Sequence, residues 1–136
     1  MTYGAKNYKT MSIQTATPQQ LLIMLYEGAI QNVKKAVAAI EARNIPEKGK
    51  YIGKAHDIIS ELNVSLNHEI GGDVTRELER LYDFMISQLL KANLETNAEP
   101  LKAVQKNLEV LLDGWKQAVT QFNKDAALNR KPSSQG

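Results

Sequence analysis

Cysteine is absent from this 136-residue chain. Its absence excludes disulfides, thiolate catalysis and cysteine-built zinc sites, and it fits a reducing compartment. A strong charge of one sign is also lacking: 17 basic and 15 acidic residues leave a net charge of +2. That balance is too even for a nucleic-acid surface. The nearest basic cluster, Asn129-Arg130-Lys131, lies in the C-terminal tail and reads as a solvated end. Long apolar runs are missing too. The stretch Leu21 to Tyr26 falls far short of the ~20 residues needed to cross a bilayer. Met1 to Gln14 alternates polar and apolar residues without the continuous apolar core of a signal peptide. These features predict a soluble, cytoplasmic chain with no membrane insertion.

The parts of an active site are equally scarce. Helical bundles host di-metal sites through Glu-x-x-His pairs, yet the residues three before His56 and His68 are Gly53 and Ser65. Gly71-Gly72 lacks the spacing and the lysine of a phosphate-binding loop. Ser60 and Glu61 lie near His56, but proximity on a helix does not by itself activate a serine. The expectation is no catalytic residue, no metal, no cofactor and no enzyme. A helical histidine-phosphotransfer domain, using His68 or His56, is the alternative from a different class. The small and basic neighbours it needs are not there, since Asp57-Ile58-Ile59 follows His56.

What the chain does have is helical signal. Thr17 can cap a first turn, Pro18 suits the first helical position, and Gln20 can reach back to complete a capping box. Apolar residues then recur with 3,4 spacing in four segments. The first is Leu22, Tyr26, Ala29, Val33, Ala36 and Ile40; the second is Ile52, Ala55, Ile59, Leu62 and Leu66. The third is Val74, Leu78, Leu81, Met85 and Leu89. The fourth runs from Leu101 through Val104, Leu108, Leu111, Trp115 and Ala118 to Phe122. Asn44-Ile45-Pro46, Gly71-Gly72 and Glu95 to Pro100 separate them, with Asp73 and Asn97 as candidate caps. An all-α, antiparallel up-down four-helix bundle is expected over residues 17–124. It is flanked by an N-terminal segment, 1–16, and a disordered C-terminal tail, 125–136. Gly28 and Gly114 interrupt helices, which suggests close helix packing. Trp115 reads as core.

The helices carry more apolar surface than one stripe uses. On a wheel of 100° per residue, Ile23, Ile30 and Val37 lie roughly 60–100° to one side of the first stripe. Leu21 and Leu25 lie on the other side, and Met24 lies almost opposite the core. Tyr51 and Ile58 flank the second stripe; Tyr82, Ile86 and Leu89 form a displaced line on the third. A bundle face takes about three positions in seven, so part of this surplus belongs to a wide core. The remainder suggests grooves for an amphipathic helix. The predicted partner-binding residues are Tyr51, Ile58, Tyr82, Ile86 and Leu89. Tyr8, Met11 and Ile13 are the candidate lid that folds over apolar surface until a partner arrives. His56, at a groove edge, is either a polar anchor or an ordinary half-exposed histidine.

Several of these residues carry a resemblance. Tyr8, the turn Thr15 to Pro18 and the run Met24-Leu25-Tyr26-Glu27-Gly28 match the pattern of the flagellar secretion chaperone (FliS) family. So do Lys54 to Asn63, Leu81-Tyr82-Asp83-Phe84-Met85 and Gly114-Trp115-Lys116-Gln117-Ala118, in the same order and spacing over about residues 8 to 122. His56 departs from the family, which commonly has glutamine or a similar polar residue there. The resemblance implies a cytoplasmic export chaperone that binds the disordered C-terminal segment of flagellin and prevents premature polymerisation. It also implies delivery to the flagellar type III export apparatus through an export gate component, with a co-chaperone or regulator as a further partner. A helix-binding adaptor for another secretion client remains the alternative within binding functions.

Overall fold

The computed structural model describes residues 16–130. Five α-helices lie among them: α1 (Pro18–Glu41), α2 (Ile45–Val64), the single turn α3 (His68–Gly71), α4 (Asp73–Glu95) and α5 (Ala98–Arg130). The start of α1 is as expected. Thr17 accepts a hydrogen bond from the Gln20 amide, and the Gln20 side chain accepts one from the Thr17 amide. Asn44 caps α2 by accepting from the Glu47 amide at 3.2 Å, and Asn97 accepts from the Glu99 amide at 3.0 Å where α5 begins.

Helix ends are less regular. Arg43 and Thr96 take left-handed backbone angles, φ 58° and 49°, just past α1 and α4. Each lets the next amide reach back to a carbonyl of the last turn: Asn44 to Ala39, Asn97 to Ala92. This closes both helices with the pattern glycine usually provides. The second helix stops at Val64, earlier than Gly71-Gly72 suggests, because Ser65 turns its hydroxyl back to the Leu62 carbonyl and Asn67 caps α3. Gly72, at φ 56°, then makes the corner into α4. Asp73 caps nothing; it pairs with Arg76 instead.

Helix α1 packs on α2 and α5, and α4 packs on α2 and α5. Short links between such neighbours give the antiparallel up-down bundle that the stripes predict. The core contains Tyr26, Ala29, Ile30, Val33 and Ala36 of α1 with Ile52, Ala55, Ile59 and Leu62 of α2. Tyr82, Met85, Leu89 and Ala92 of α4 and Leu101, Val104 and Leu108 of α5 complete it. On α4 the buried seam therefore runs through Tyr82 and Leu89, while Val74 lies 67% exposed. Met85 and Leu89 of the expected stripe are buried, but in its first half the seam shifts from Val74, Leu78 and Leu81 to Thr75 and Tyr82. At 33 residues α5 is about 50 Å long, against about 36 Å for α1. It continues through residues 125–130 as helix, where the sequence suggested a disordered tail, and leaves Phe122 and Leu128 exposed. Gly28 faces the Ile58 side chain, whereas a side chain at Gly114 would meet open space, so close packing does not explain that glycine.

Two polar contacts lie within this apolar frame. The Tyr26 and Tyr82 hydroxyls hydrogen-bond across the bundle, and the Tyr26 ring also meets Trp115 at 6.4 Å between centroids. Burial raises both phenol pKa values above 10. Lys48, 7% exposed, sends its Nζ to the Asn93 carbonyl and the Thr96 hydroxyl, each at 2.9 Å. A cation thus sits on the carbonyl end of α4, where the helix dipole favours it.

Tyr26→Phe or Tyr82→Phe alone strands one buried hydroxyl and is expected to cost about 1–3 kcal/mol, while the double Phe variant costs no more than either single change; urea unfolding measures all three. Unfolded phenols titrate near pH 10 and the folded pair higher, so the folded state holds more protons above pH 10. The pair's contribution is full below pH 10 and is lost as pH rises beyond it. Melting temperatures from pH 8 to 11 should therefore fall less steeply for the double Phe variant. Separately, Lys48→Met keeps the apolar stem, removes both hydrogen bonds, and should lower stability by about 1–3 kcal/mol in the same assay.

Candidate functional site

The bundle surface carries depressions of different character. The cleft between α1 and α5 is polar, lined by Glu27, Gln31, Lys34, Glu109 and Asp113, with Lys116 reaching Glu27 at 3.7 Å. Two others carry clusters of apolar side chains beside polar ones. One runs between α1 and α2 with a volume of about 500 Å³. Its walls include Leu21, Met24, Leu25 and Gly28 at one end, and Lys35 and Lys54 at the other. The second, about 640 Å³, lies along α4 beside α5 and is lined by Val74, Leu78, Leu81, Phe84 and Leu111. A smaller apolar hollow of about 330 Å³ opens at the Trp115 end, among Leu22, Leu66, Ile70 and Leu78.

The surplus on α1 explains the first groove. Tyr26 must turn inward to reach Tyr82, and this places Leu21, Met24 and Leu25 along the seam with α2, all half-buried. Gly28 keeps the floor low: a β-carbon there would lie 3.5 Å from Ile58 Cδ1. Two turns further along α1, Lys35 lies 5.4 Å from the centre of the Tyr51 ring, beside Lys50 and Lys54 at 5.2 and 5.7 Å. Cations over an aromatic face are held by its quadrupole.

The five predicted contact residues separate accordingly. Tyr51 and Ile58 lie half-buried beside the α1/α2 groove. Tyr82 and Leu89 are 1% and 0% exposed, so neither belongs to an accessible surface; the expectation that they form part of a groove is corrected, because the diagonal tyrosine bond turns this side of α4 inward. Ile86 is half-buried and packs against the core edge. The lid residues Tyr8, Met11 and Ile13 lie outside the described residues. The α4/α5 groove was not anticipated, although Val74, Leu78, Leu81 and Phe84 form an apolar line three and four residues apart.

The arrangement offers little covalent chemistry. His56 is half-exposed with Nδ1 3.5 Å from Asp57, and His68 Nε2 lies 3.7 Å from Glu79. Among the described residues no group of three or more His, Cys, Asp or Glu could hold a metal ion, and no helix is long and apolar enough to cross a membrane. What the surface can do is accept apolar side chains from another helix.

Comparison with known proteins agrees with this description. A solved structure described as a flagellar chaperone from bacteria superposes with a TM-score of 0.72 at 22% identity, covering 87% of this chain and 98% of that one. Residues 1–122 match the family model for the flagellar protein FliS. The flagellar secretion chaperone FliS of Vibrio cholerae is 35% identical over 120 residues, covering 85% of this chain and 88% of its own length. That of Bacillus subtilis is 35% identical with 87% of each chain covered, and FliSB of Pseudomonas aeruginosa is 37% identical, covering 81% and 90%. This helical bundle with apolar outer grooves belongs to the FliS family of flagellar secretion chaperones.

Proposed function

We propose that the chain binds the C-terminal segment of flagellin in the cytoplasm, keeps it from polymerising, and supports its delivery to the flagellar type III export apparatus. In this role it acts by binding and catalyses no reaction. The observation that carries the reading is the apolar α1/α2 groove in a chaperone of this family, with Leu21, Met24 and Leu25 lining it outside the fully buried core. A disordered segment that folds into that groove spends several kcal/mol on ordering, offset by the apolar area it buries. The histidine-phosphotransfer alternative is disfavoured because the small and basic neighbours such a histidine needs are missing, Asp57-Ile58-Ile59 following His56.

Tyr51 and Ile58 contribute to the contact from the α2 side, and Ile86 does so at the edge of α4. The N-terminal segment acts as a lid, with Tyr8, Met11 and Ile13 occupying apolar surface before the client does. An export gate component and a co-chaperone or regulator are the further partners.

Titration calorimetry with a peptide of the C-terminal ~40 residues of the host's flagellin is expected to show saturable one-to-one binding, a negative heat-capacity change and a gain in helical circular dichroism. Absence of binding, both by the full chain and by a version lacking residues 2 to 14, refutes the assignment. Met24→Asp should weaken binding at least tenfold while leaving the melting temperature within a few degrees, because Met24 lines the groove without belonging to the core cluster. Deleting residues 2 to 14 should tighten binding, by about 100-fold if the lid is closed 99% of the time. Unchanged or weaker binding removes the lid.

A further inference from the structure

The α1/α2 groove has two chemically different ends, and this polarity says how an occupant lies in it. Leu21, Met24 and Leu25 make one end largely apolar, with Glu27 in its wall, and Gln31 and Asn32 follow toward the other. Lys35 and Lys54 line the other end, and with Lys50 beside the groove they converge on one ring, with Nζ atoms 5.2 to 5.7 Å from the Tyr51 centroid. Among the described residues none of Lys35, Lys50 and Lys54 makes an ion pair. Glu47 and Asp57 on α2 are exposed and stand three residues from Lys50 and Lys54 without pairing with them, and Glu27 on α1 is engaged by Lys116. Like charges gathered in this way repel one another and raise the local potential, so an anion placed among them gains from all three.

We infer that the lysine cluster around Tyr51 receives the C-terminal carboxylate of the bound client helix, whose apolar side chains lie toward Leu21, Met24 and Leu25. This deepens the proposed function and rests on it. A helix carries about half a negative charge at its C-terminal end, and a free chain end adds a full one. Only a helix running parallel to α1, with its end over the lysines, brings both to the positive end of the groove. The reverse orientation would set the positive helix terminus against three cations. From Leu21 to Lys35 the groove spans about 21 Å, which takes a helix of about 14 residues. The client's last few turns therefore fill it.

Two forms of the flagellin C-terminal peptide, one with a free carboxylate and one amidated, test the inference at low ionic strength, against the wild-type chain and the triple variant K35Q/K50Q/K54Q. Glutamine keeps helix propensity and length, and circular dichroism checks the fold. The free acid is expected to bind wild type roughly three- to tenfold more tightly than the amide, a difference that shrinks with added salt and disappears in the triple variant. Equal binding of the two peptides to wild type overturns the inference and leaves the flagellin reading standing. So does an amide penalty that survives in the triple variant. If neither peptide binds the wild-type chain or its form lacking residues 2 to 14, the flagellin reading itself fails and this inference falls with it.

Discussion

The hydrogen bond between Tyr26 and Tyr82 is the contact on which the outer surface depends. It joins helices that are diagonal in the bundle, where shared packing is slight, and it is buried. Apolar packing tolerates some rotation of a helix about its own axis; a pair of buried hydroxyls tolerates little, because either group alone is left unsatisfied. With Tyr26 held inward, Leu21, Met24 and Leu25 fall at the α2 seam, and about three turns later Lys35 comes to Tyr51. On the other helix, holding Tyr82 inward exposes Val74 and Phe84. One interior bond therefore sets the angular position of two exterior grooves.

Much of this was readable from residue order. The four stripes, the Thr17 capping box and the Asn44 and Asn97 turns are local signals, and local physics decides them. Tyr82 was misplaced, and Leu89 counted on both the core stripe and the groove line, because α4 has two candidate seams, and the choice is made by a hydroxyl 56 residues away. Helical periodicity on α4 alone does not contain that information. The same holds for the lysine cluster, which needs α1 and α2 side by side, and for Lys48, whose acceptors lie at the far end of α4. The early end of α2 turned on one serine hydroxyl, and the continuation of α5 to Arg130 on helix propensity with few tertiary contacts.

The two ends of the bundle differ in firmness. Around Leu101, Val104 and Leu108 the interior is closed, and Lys48 fastens the start of α2 to the finish of α4. Around Trp115 it is looser: among the described residues of α5 none beyond Leu108 is fully buried, and a hollow opens among Leu22, Leu66, Ile70 and Leu78. Stability concentrated at one end leaves the other able to adapt with little global cost. The apolar half of the α1/α2 groove lies toward that adaptable end and the lysines toward the firm one.

Both walls of that groove belong to a single helical hairpin. Gly28 and Ile58, which face each other on its floor, are joined by one tight turn at Arg43 and Asn44. Contacts this close in the chain form quickly, since little loop entropy is lost in closing them. During synthesis the hairpin is complete before α4 and α5 have been made, so its surface can begin to assemble on the ribosome. The tyrosine bond, by contrast, must wait for Tyr82. The order of translation thus puts the groove's walls first and the contact that fixes their rotation second.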